Sequence, residues 1–200
     1  MATKAIIVKK GLALLNSPRL ILHIALYLVG VGGGNLRLDI AVAAKHHGFS
    51  GCRLMELIYL LTFDRTFRNV FYYRIGTWKL LCSWLIPCHN SFVIGKNTII
   101  EGAFLGIHPI GTTINAKYIG SGFVCRNNTV IGVGRGGLAT IGNNVDVGTN
   151  SVIIGGIHIG DNVRIGVGSV VVKSIPDNCT VVGNPAHIIK KDGLRIDKDF

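Results

Sequence analysis

The sequence has few acidic residues and few charged residues of any kind. Only 10 of its 200 residues are Asp or Glu, against 21 Lys and Arg, so the formal net charge is +11. This excess favours anionic partners such as phosphorylated cofactors, nucleic acid, acidic glycans or a membrane surface. Charged residues make up 16% and hydrophobic residues 48%, a composition too apolar for a disordered chain. The 5 prolines are too few for a collagen-like or proline-rich linker sequence.

The cysteines show no metal-binding spacing. The sequence contains 5 of them, and no pair has the CxxC or His-x-Cys spacing of a zinc site, so no metal site is predicted. We interpret them as free thiols of a reduced compartment and expect a cytoplasmic protein. The apolar run at 19–32 is shorter than the roughly 20 residues that cross a bilayer. It is predicted to form a buried helix, with peripheral membrane contact as the alternative.

Most of the positive charge lies in residues 1–89, which are predicted to form an α-helical N-terminal region. This part carries 11 Lys and Arg against 3 Asp and Glu. The stretch Arg53–Leu85 has apolar residues at helical spacing and predicts one or two amphipathic helices. Most of their basic residues are expected to form a solvated face: Arg65, Arg68, Arg74 and Lys79. No DNA- or RNA-binding motif accompanies the charge, so no nucleic-acid partner is predicted.

Residues 94 to about 175 repeat with a period of six. Each repeat has an inward aliphatic residue, often followed by glycine, and a small or β-branched residue four positions later. This spacing predicts one short strand and one turn per hexad, with three hexads forming a triangular coil. A single coil cannot bury its aliphatic residues, so the coils must stack into a solenoid. The aliphatic positions are Ile94, Ile100, Ile119, Cys125, Ile131, Ile141, Val147, Ile153, Ile159, Ile165 and Val171.

The repeat is broken at two places. Between Ile100 and Ile119, Gly106 and Thr112 take the aliphatic position. Further along, a glycine-rich loop at 132–140 adds four residues and is expected to be flexible. Since solenoids carry function where the repeat is interrupted, these two breaks are the candidate site.

Three segments resemble the left-handed β-helix (hexapeptide-repeat) acyltransferases. Ile165–Lys173 and Gly183–Lys191 are similar to the C-terminal cap of these enzymes. Residues 107–109 resemble the Asp-Ile-His-Pro segment of the serine acetyltransferases, and 108–115 are similar to relatives that acetylate capsular or exopolysaccharide sugars. The resemblance implies a mainly β fold, a left-handed parallel β-helix over 90–200 with a C-terminal cap. It also implies an acetyl-CoA-dependent O-acetyltransferase.

The sequence departs from the serine acetyltransferases at two places that bear on the acceptor. Their catalytic Asp-His-x-Thr-Gly motif matches residues 126–130, where Asn127 replaces the histidine. Their further histidine, used for the amino-acid acceptor, has no counterpart in the loop at 132–140. A sugar hydroxyl of a surface polysaccharide is therefore the expected acceptor. One alternative is that the acceptor is L-serine. The other is that the protein is a non-catalytic β-helix scaffold.

The interrupted coil, together with the resemblance to sugar acetyltransferases, suggests roles for particular residues. His108 would be the general base, Asn127 would help to stabilise the oxyanion, and Glu101 is the candidate carboxylate for orienting the histidine. Cys125 occupies an inward position, which favours direct transfer over an acyl-enzyme. A homotrimer with active sites between subunits is expected, and a hexamer formed through the N-terminal helices is the alternative. The residues expected to contact acetyl-CoA are Thr149, Val167, Val172, Lys173 and Lys190.

Overall fold

The computed structural model describes residues 2–196, with side chains from residue 8 onward. The chain divides into two compact units, Met1–Asn90 and Ser91–Phe200. The first unit is helical and the second is a β-solenoid. The predicted fold class, a mainly β solenoid preceded by a helical region, is confirmed.

The helical unit is a succession of short helices whose ends are fixed by local chemistry. The Asp64 carboxylate accepts hydrogen bonds from the backbone N–H of Thr66 and of Phe67, both at 2.9 Å, and so caps the fifth helix. Gly76 ends that helix with a φ of +57°. The helices are α1 (Ala2–Asn16), a 3-10 helix (Ser17–Leu20), α2 (Ile21–Leu28), α3 (Gly33–His46), α4 (Arg53–Phe63), α5 (Arg65–Ile75) and a second 3-10 helix (Gly76–Leu81).

Arg68 is buried, so its predicted place on a solvated face is wrong. Its guanidinium donates to the carbonyl oxygens of Leu61, Thr62 and Pro87 at 2.8–2.9 Å. The first two belong to the last turn of α4, where carbonyls have no partner within the helix. Arg68 donates hydrogen bonds to these carbonyls, and these bonds stabilise its charged side chain inside the unit.

The side chain of Arg74 is also buried, at 6% exposed, contrary to the same prediction. Its Nε donates to the buried Asp39 carboxylate at 2.7 Å. Burial of the pair is tolerable because the two charges compensate each other. Arg65 and Lys79 are exposed, as expected.

The second unit is a solenoid of about five coils with three parallel sheets. Sheet A contains β1-β4-β7-β10-β13, sheet B contains β2-β5-β8-β11, and sheet C contains β3-β6-β9-β12-β14 followed by the antiparallel β15 and β16. The strands are β1 (Phe92–Ile94), β2 (Ile99–Ile100), β3 (Leu105–Ile107), β4 (Thr112–Ile114), β5 (Tyr118–Ile119), β6 (Val124–Arg126), β7 (Val130–Gly132), β8 (Thr140–Ile141), β9 (Asp146–Val147), β10 (Val152–Ile154), β11 (His158–Ile159), β12 (Arg164–Ile165), β13 (Val170–Val171), β14 (Cys179–Val182), β15 (His187–Lys191) and β16 (Leu194–Arg195).

The predicted aliphatic positions form the core of the solenoid. From Ile100 to Val171, every aliphatic residue assigned to the repeat is at most 3% exposed. Each pairs in parallel register with its equivalent in the next coil; for example, Ile153 pairs with both Ile131 and Val171. The packing confirms the hexad interpretation over this stretch.

The register predicted for Thr112 is wrong. Ile114, two residues later, pairs with Ile94 and Ile131 and holds the aliphatic position. The step from Gly106 to Ile114 is eight residues and the step from Ile114 to Ile119 is five, where the repeat has six. A corner longer than usual is therefore followed by a shorter one. Thr112 instead begins a column of buried hydroxyl residues: Thr112, Thr129, Ser151 and Ser169.

Candidate active site

His108 lies at the corner that follows β3, inside the first break of the repeat. Its φ is +47°, a left-handed conformation that is uncommon for residues with a side chain and recurs at functional sites. The neighbouring Pro109 is buried, and its Cγ lies only 2.8 Å from where a Cβ on Gly106 would be. The proline ring therefore fills the space left by the glycine in the aliphatic column. The imidazole of His108 remains exposed.

Asn127 and Thr149 occupy the same corner in the next two coils. The registers of β3 with β6, and of β6 with β9, stack His108, Asn127 and Thr149 in order. The Thr149 hydroxyl donates to Asn127 Oδ1 at 2.9 Å. This bond fixes the carboxamide and leaves its N–H groups as the donors available to a ligand.

Val167 continues this series in the fourth coil, through the register of β9 with β12. We call His108, Asn127, Thr149 and Val167 the corner column. Adjacent strands lie about 4.8 Å apart, so three steps span about 14 Å. Three of the six predicted site residues thus fall on one line along the solenoid.

The other three predicted residues lie elsewhere on the solenoid. The corner column lies where the chain enters sheet A from sheet C. Val172 and Lys173 follow β13, where the chain leaves sheet A, and both are exposed. Lys190 is exposed on β15 and pairs with Thr180. A single chain therefore does not bring all the predicted cofactor residues to one edge.

An ionic cluster on sheet C lies beside the corner column and was not predicted from the sequence. Arg126 forms an ion pair with Asp146 and also donates to the Val147 carbonyl at 3.1 Å. Arg164 Nε lies 3.9 Å from the same Asp146 carboxylate. The signal was present in the hexads, because Asp146 and Arg164 each directly precede an aliphatic residue of the repeat and so face outward on neighbouring strands.

No carboxylate of residues 2–196 pairs with His108. Glu101 precedes β3, whereas His108 follows it, so the two lie at opposite ends of this strand. Glu101 is therefore not placed to orient the imidazole within one chain.

Cys125 is fully buried in the aliphatic column, as predicted. Burial raises the pKa of its thiol to about 12. Since the thiolate is the nucleophilic form of cysteine, Cys125 is unreactive near neutral pH.

The loop at 132–140, expected to be flexible, forms a defined hairpin. Gly134 and Gly137 exchange two backbone hydrogen bonds of 3.1 Å. The hairpin packs on the next coil, where Gly156 N donates to the Arg135 carbonyl at 2.8 Å. A Cβ on Gly156 would lie 2.0 Å from the Gly136 oxygen. The glycines therefore serve close backbone packing.

We expect Gly156→Ala to lower the free energy of unfolding of the solenoid by about 2 kcal/mol, because the hairpin must move away from the new methyl group. Chemical denaturation followed by circular dichroism would measure this loss. Gly168→Ala is the matched control: its φ is +70°, but nothing lies within 4 Å of the added carbon. It should cost about 1 kcal/mol from the backbone alone. Equal losses for the two variants would contradict the packed hairpin.

Metal-binding side chains do not cluster among the described residues, and one cavity lies apart from the predicted site. Among the described residues, no group of three or more His, Cys, Asp or Glu side chains could hold a metal ion. A cavity of about 250 Å³ in the helical unit is lined by Tyr27, Gly30, Val31, Gly33, Gly34 and Arg37. None of these residues belongs to the predicted site.

The chain is similar in sequence to serine acetyltransferases. No family profile matches the sequence. The chain is 36% identical over 125 residues to a serine acetyltransferase of Staphylococcus aureus, in an alignment that covers 58% of this chain and 54% of the relative. The chain thus spans about half the length of the curated relatives it matches.

Solved structures show the same likeness in fold. Serine acetyltransferase from Neisseria gonorrhoeae matches with a TM-score of 0.62 and 23% identity, over 80% of this chain and 65% of that chain. Serine acetyltransferase from Brucella abortus in complex with coenzyme A matches with a TM-score of 0.62 and 23% identity, over 78% of this chain and 67% of that chain. The chain is therefore similar to serine acetyltransferases in sequence and in fold, and its predicted resemblance to the hexapeptide-repeat acyltransferases is confirmed.

Proposed function

We propose that this protein is an acetyl-CoA-dependent O-acetyltransferase that moves an acetyl group directly to an acceptor hydroxyl. The observation that carries the proposal is His108, an exposed imidazole at a break in the repeat, stacked above the Asn127–Thr149 pair. Histidine titrates near neutral pH and suits general base catalysis. The likeness to serine acetyltransferases, one of which is solved with coenzyme A, supports acetyl-CoA as the donor.

His108 and Asn127 divide the chemistry between them. His108 takes the proton of the acceptor hydroxyl as the oxygen attacks the thioester carbonyl carbon. The side-chain carboxamide N–H of Asn127 donates to the oxyanion of the tetrahedral intermediate, and backbone N–H groups add further hydrogen bonds. When the carbon–sulfur bond breaks, the His108 imidazolium returns the proton to the leaving sulfur, which gives the acetyl ester and free CoA.

Acetyl-CoA would lie along the corner column. Thr149 and Val167 would contribute mainly backbone groups to the pantetheine amides, and Lys173 and Lys190 would meet the phosphates. Lys173 lies at the far edge of sheet A, as does Val172. In a homotrimer, the corner column of one copy could face the far edge of sheet A in its neighbour. Val172 and Lys173 of the neighbour would then contact the same cofactor as Thr149 and Val167. Sedimentation equilibrium distinguishes this trimer from a hexamer.

A sugar of a surface polysaccharide is our proposed acceptor, modified in the cytoplasm. L-serine carries an ammonium group that calls for a carboxylate partner, and the Asp146 carboxylate beside the site is already paired with Arg126. Asn127 also stands where the serine acetyltransferase motif has its histidine. These features favour a neutral or acidic sugar over an amino acid.

Two alternatives each rest on an observation. The relatives in the comparison are named serine acetyltransferase, which favours L-serine as the acceptor. Asn127 in place of the motif histidine, and the absence of a carboxylate partner for His108 among residues 2–196, favour a non-catalytic scaffold.

Release of CoA from acetyl-CoA, measured by thiol titration with L-serine and with a panel of sugars, decides among these functions. We expect release that depends on a sugar. Release that depends on L-serine would replace the proposed acceptor. Calorimetry on the same sample tests acetyl-CoA binding, and a protein that neither binds nor turns over acetyl-CoA would be a scaffold.

Thr149→Val is expected to lower kcat about tenfold and to leave the KM for acetyl-CoA near its wild-type value. The variant removes the hydroxyl that holds the Asn127 carboxamide, so the oxyanion loses an oriented donor. Steady-state kinetics with varied acetyl-CoA measures both constants. Thr149→Ser keeps the hydroxyl and should restore kcat. A raised KM with unchanged kcat would instead assign Thr149 to cofactor binding alone.

A further inference from the structure

The segment Gly76–Trp84, which we call the tryptophan segment, exposes large apolar side chains. Trp78, Leu80 and Trp84 are 53%, 75% and 73% exposed, and Leu81 is also exposed. The small Cys82 is the buried residue of this segment. Hydrogen bonds within the segment fix its conformation: Trp84 Nε1 donates to the Leu81 carbonyl at 3.2 Å, and Cys82 N donates to the Lys79 carbonyl at 3.1 Å. Four large apolar side chains are therefore held outward.

The first two helices add a second exposed apolar surface in the same unit. The stretch Val8–Leu28 is long and apolar enough to cross a bilayer by length and composition, and 22% of its most apolar window is buried. It is longer than the apolar run at 19–32 because α1, the 3-10 helix and α2 follow one another directly. Only Leu20 and His23 of that run are buried, so the buried helix predicted there is wrong. The Arg19 guanidinium donates at 2.9 Å to the carbonyl of Leu85, the residue that directly follows the tryptophan segment, and so joins the two surfaces. Its large exposed apolar residues are Val8, Leu12, Leu14, Leu15, Ile21, Leu22 and Leu28.

The charge around these surfaces is positive. Residues 1–38 contain no Asp or Glu, and the first 90 residues carry three acidic groups. Two of them are paired with arginine, Asp39 with Arg74 and Glu56 with Arg53, and Asp64 is hydrogen-bonded to His47. Exposed cations beside the apolar residues are thus not neutralised by these carboxylates. They include Lys9, Arg19, Arg37 and Lys79.

We propose that the helical unit docks peripherally on an anionic lipid bilayer through the tryptophan segment and the exposed side of Val8–Leu28. Tryptophan and leucine side chains insert at the interface, and lysine and arginine attract anionic headgroups. A second copy of the chain fits less well, because it would bring two unneutralised basic surfaces together. A spanning helix fits less well because His23, within this stretch, is buried and bonded at 2.9 Å to the Tyr72 hydroxyl. This inference is independent of the proposed activity.

The two tryptophans of the chain, Trp78 and Trp84, both lie in the tryptophan segment, so intrinsic fluorescence reports on this surface alone. The full-length protein would be titrated with vesicles of phosphatidylglycerol and phosphatidylcholine, and with phosphatidylcholine alone. We expect a blue shift and co-sedimentation with the anionic vesicles, and about tenfold weaker binding when NaCl is raised from about 0.1 M to about 0.5 M.

The test variant Leu80→Glu should weaken partitioning into anionic vesicles about tenfold. Its control is Leu194→Glu, which replaces an equally exposed leucine (75%) in the solenoid and should partition like wild type. Unchanged tryptophan emission with no co-sedimentation would overturn the proposal. So would emission that shifts with protein concentration and not with lipid, which would assign the surface to a second copy. Resistance to extraction from vesicles by alkaline carbonate would assign it to a spanning helix.

Discussion

His108→Asn is expected to lower kcat about 10²- to 10⁴-fold while acetyl-CoA binding persists. Asparagine cannot take and return a proton near neutral pH, so the acceptor hydroxyl would have to attack unassisted. The substitution suits the backbone, because asparagine tolerates the left-handed region. Five other positive-φ positions of the solenoid are already asparagine: Asn128, Asn144, Asn150, Asn162 and Asn178. Acetyl-CoA-dependent kinetics with the acceptor found in the panel measures the loss.

His158→Asn is the matched control for this variant. His158 is an exposed histidine of the same solenoid, on β11 and outside the corner column. It should retain wild-type kcat. Because the His108 imidazole is exposed and Pro109 fills the interior, the unfolding temperature of His108→Asn should stay near that of wild type. Wild-type turnover by His108→Asn would exclude it as the base, whichever acceptor is used.

The hexads predicted the solenoid well because one spacing encodes both strand and stacking. An aliphatic residue every six positions faces inward in each strand, and it can be buried only by its equivalent in the next coil. The pattern failed between Gly106 and Ile119, where a corner with two extra residues is followed by one that is a residue short. The two changes nearly cancel in sequence length. Counting in sixes therefore selected Thr112, although the register belongs to Ile114.

The helical unit shows a different limit of sequence analysis. Arg68 and Arg74 are charged residues of a predicted amphipathic stretch, yet the side chains of both are buried. Their partners are the last-turn carbonyls of α4 and the Asp39 carboxylate, which tertiary packing brings to α5. No local pattern shows that these groups need a donor.

The candidate site was predictable in part. His108 was found from a break in the repeat and from family resemblance. The Asn127–Thr149 hydrogen bond joins residues 22 apart, because the loop at 132–140 lengthens that coil. Once the loop is recognised as an insertion, this spacing follows from the hexads. That Val172 and Lys173 lie away from the corner column became visible only in the folded coil, where they follow a strand of sheet A and the corner column precedes that sheet.

A second large effect is expected from His23, which is fully buried in the helical unit. The Tyr72 hydroxyl donates to the Ile86 carbonyl at 2.7 Å, so it accepts from His23 Nε2. His23 Nδ1 is buried without a hydrogen-bond partner among the described residues. Burial, and the nearby charge of Arg68, lower the pKa of His23 to about 4.

The free energy of unfolding of the helical unit should therefore fall as the pH drops from about 6.5 to about 4. In this window the unfolded chain binds a proton at His23 that the folded unit excludes, so protonation favours unfolding. The loss is about 1.4 kcal/mol per pH unit and about 3 kcal/mol in all. Above about pH 6.5 this contribution is complete and stability no longer depends on His23. Denaturation followed by helical circular dichroism, repeated across this range, measures the slope.

The same titration on His23→Gln separates this histidine from the carboxylates that also protonate on acidification. Glutamine can donate to the Tyr72 hydroxyl and carries no charge, so the variant should lose the His23 part of the slope even if its stability at neutral pH is lower. His158→Gln replaces an exposed histidine of the solenoid, outside the helical unit, and should keep the wild-type slope. Identical slopes for wild type and His23→Gln would show that His23 protonates equally well in the folded unit. The unpartnered Nδ1 would then have to gain an acceptor or water as the pH falls, by a local opening that leaves the helices intact.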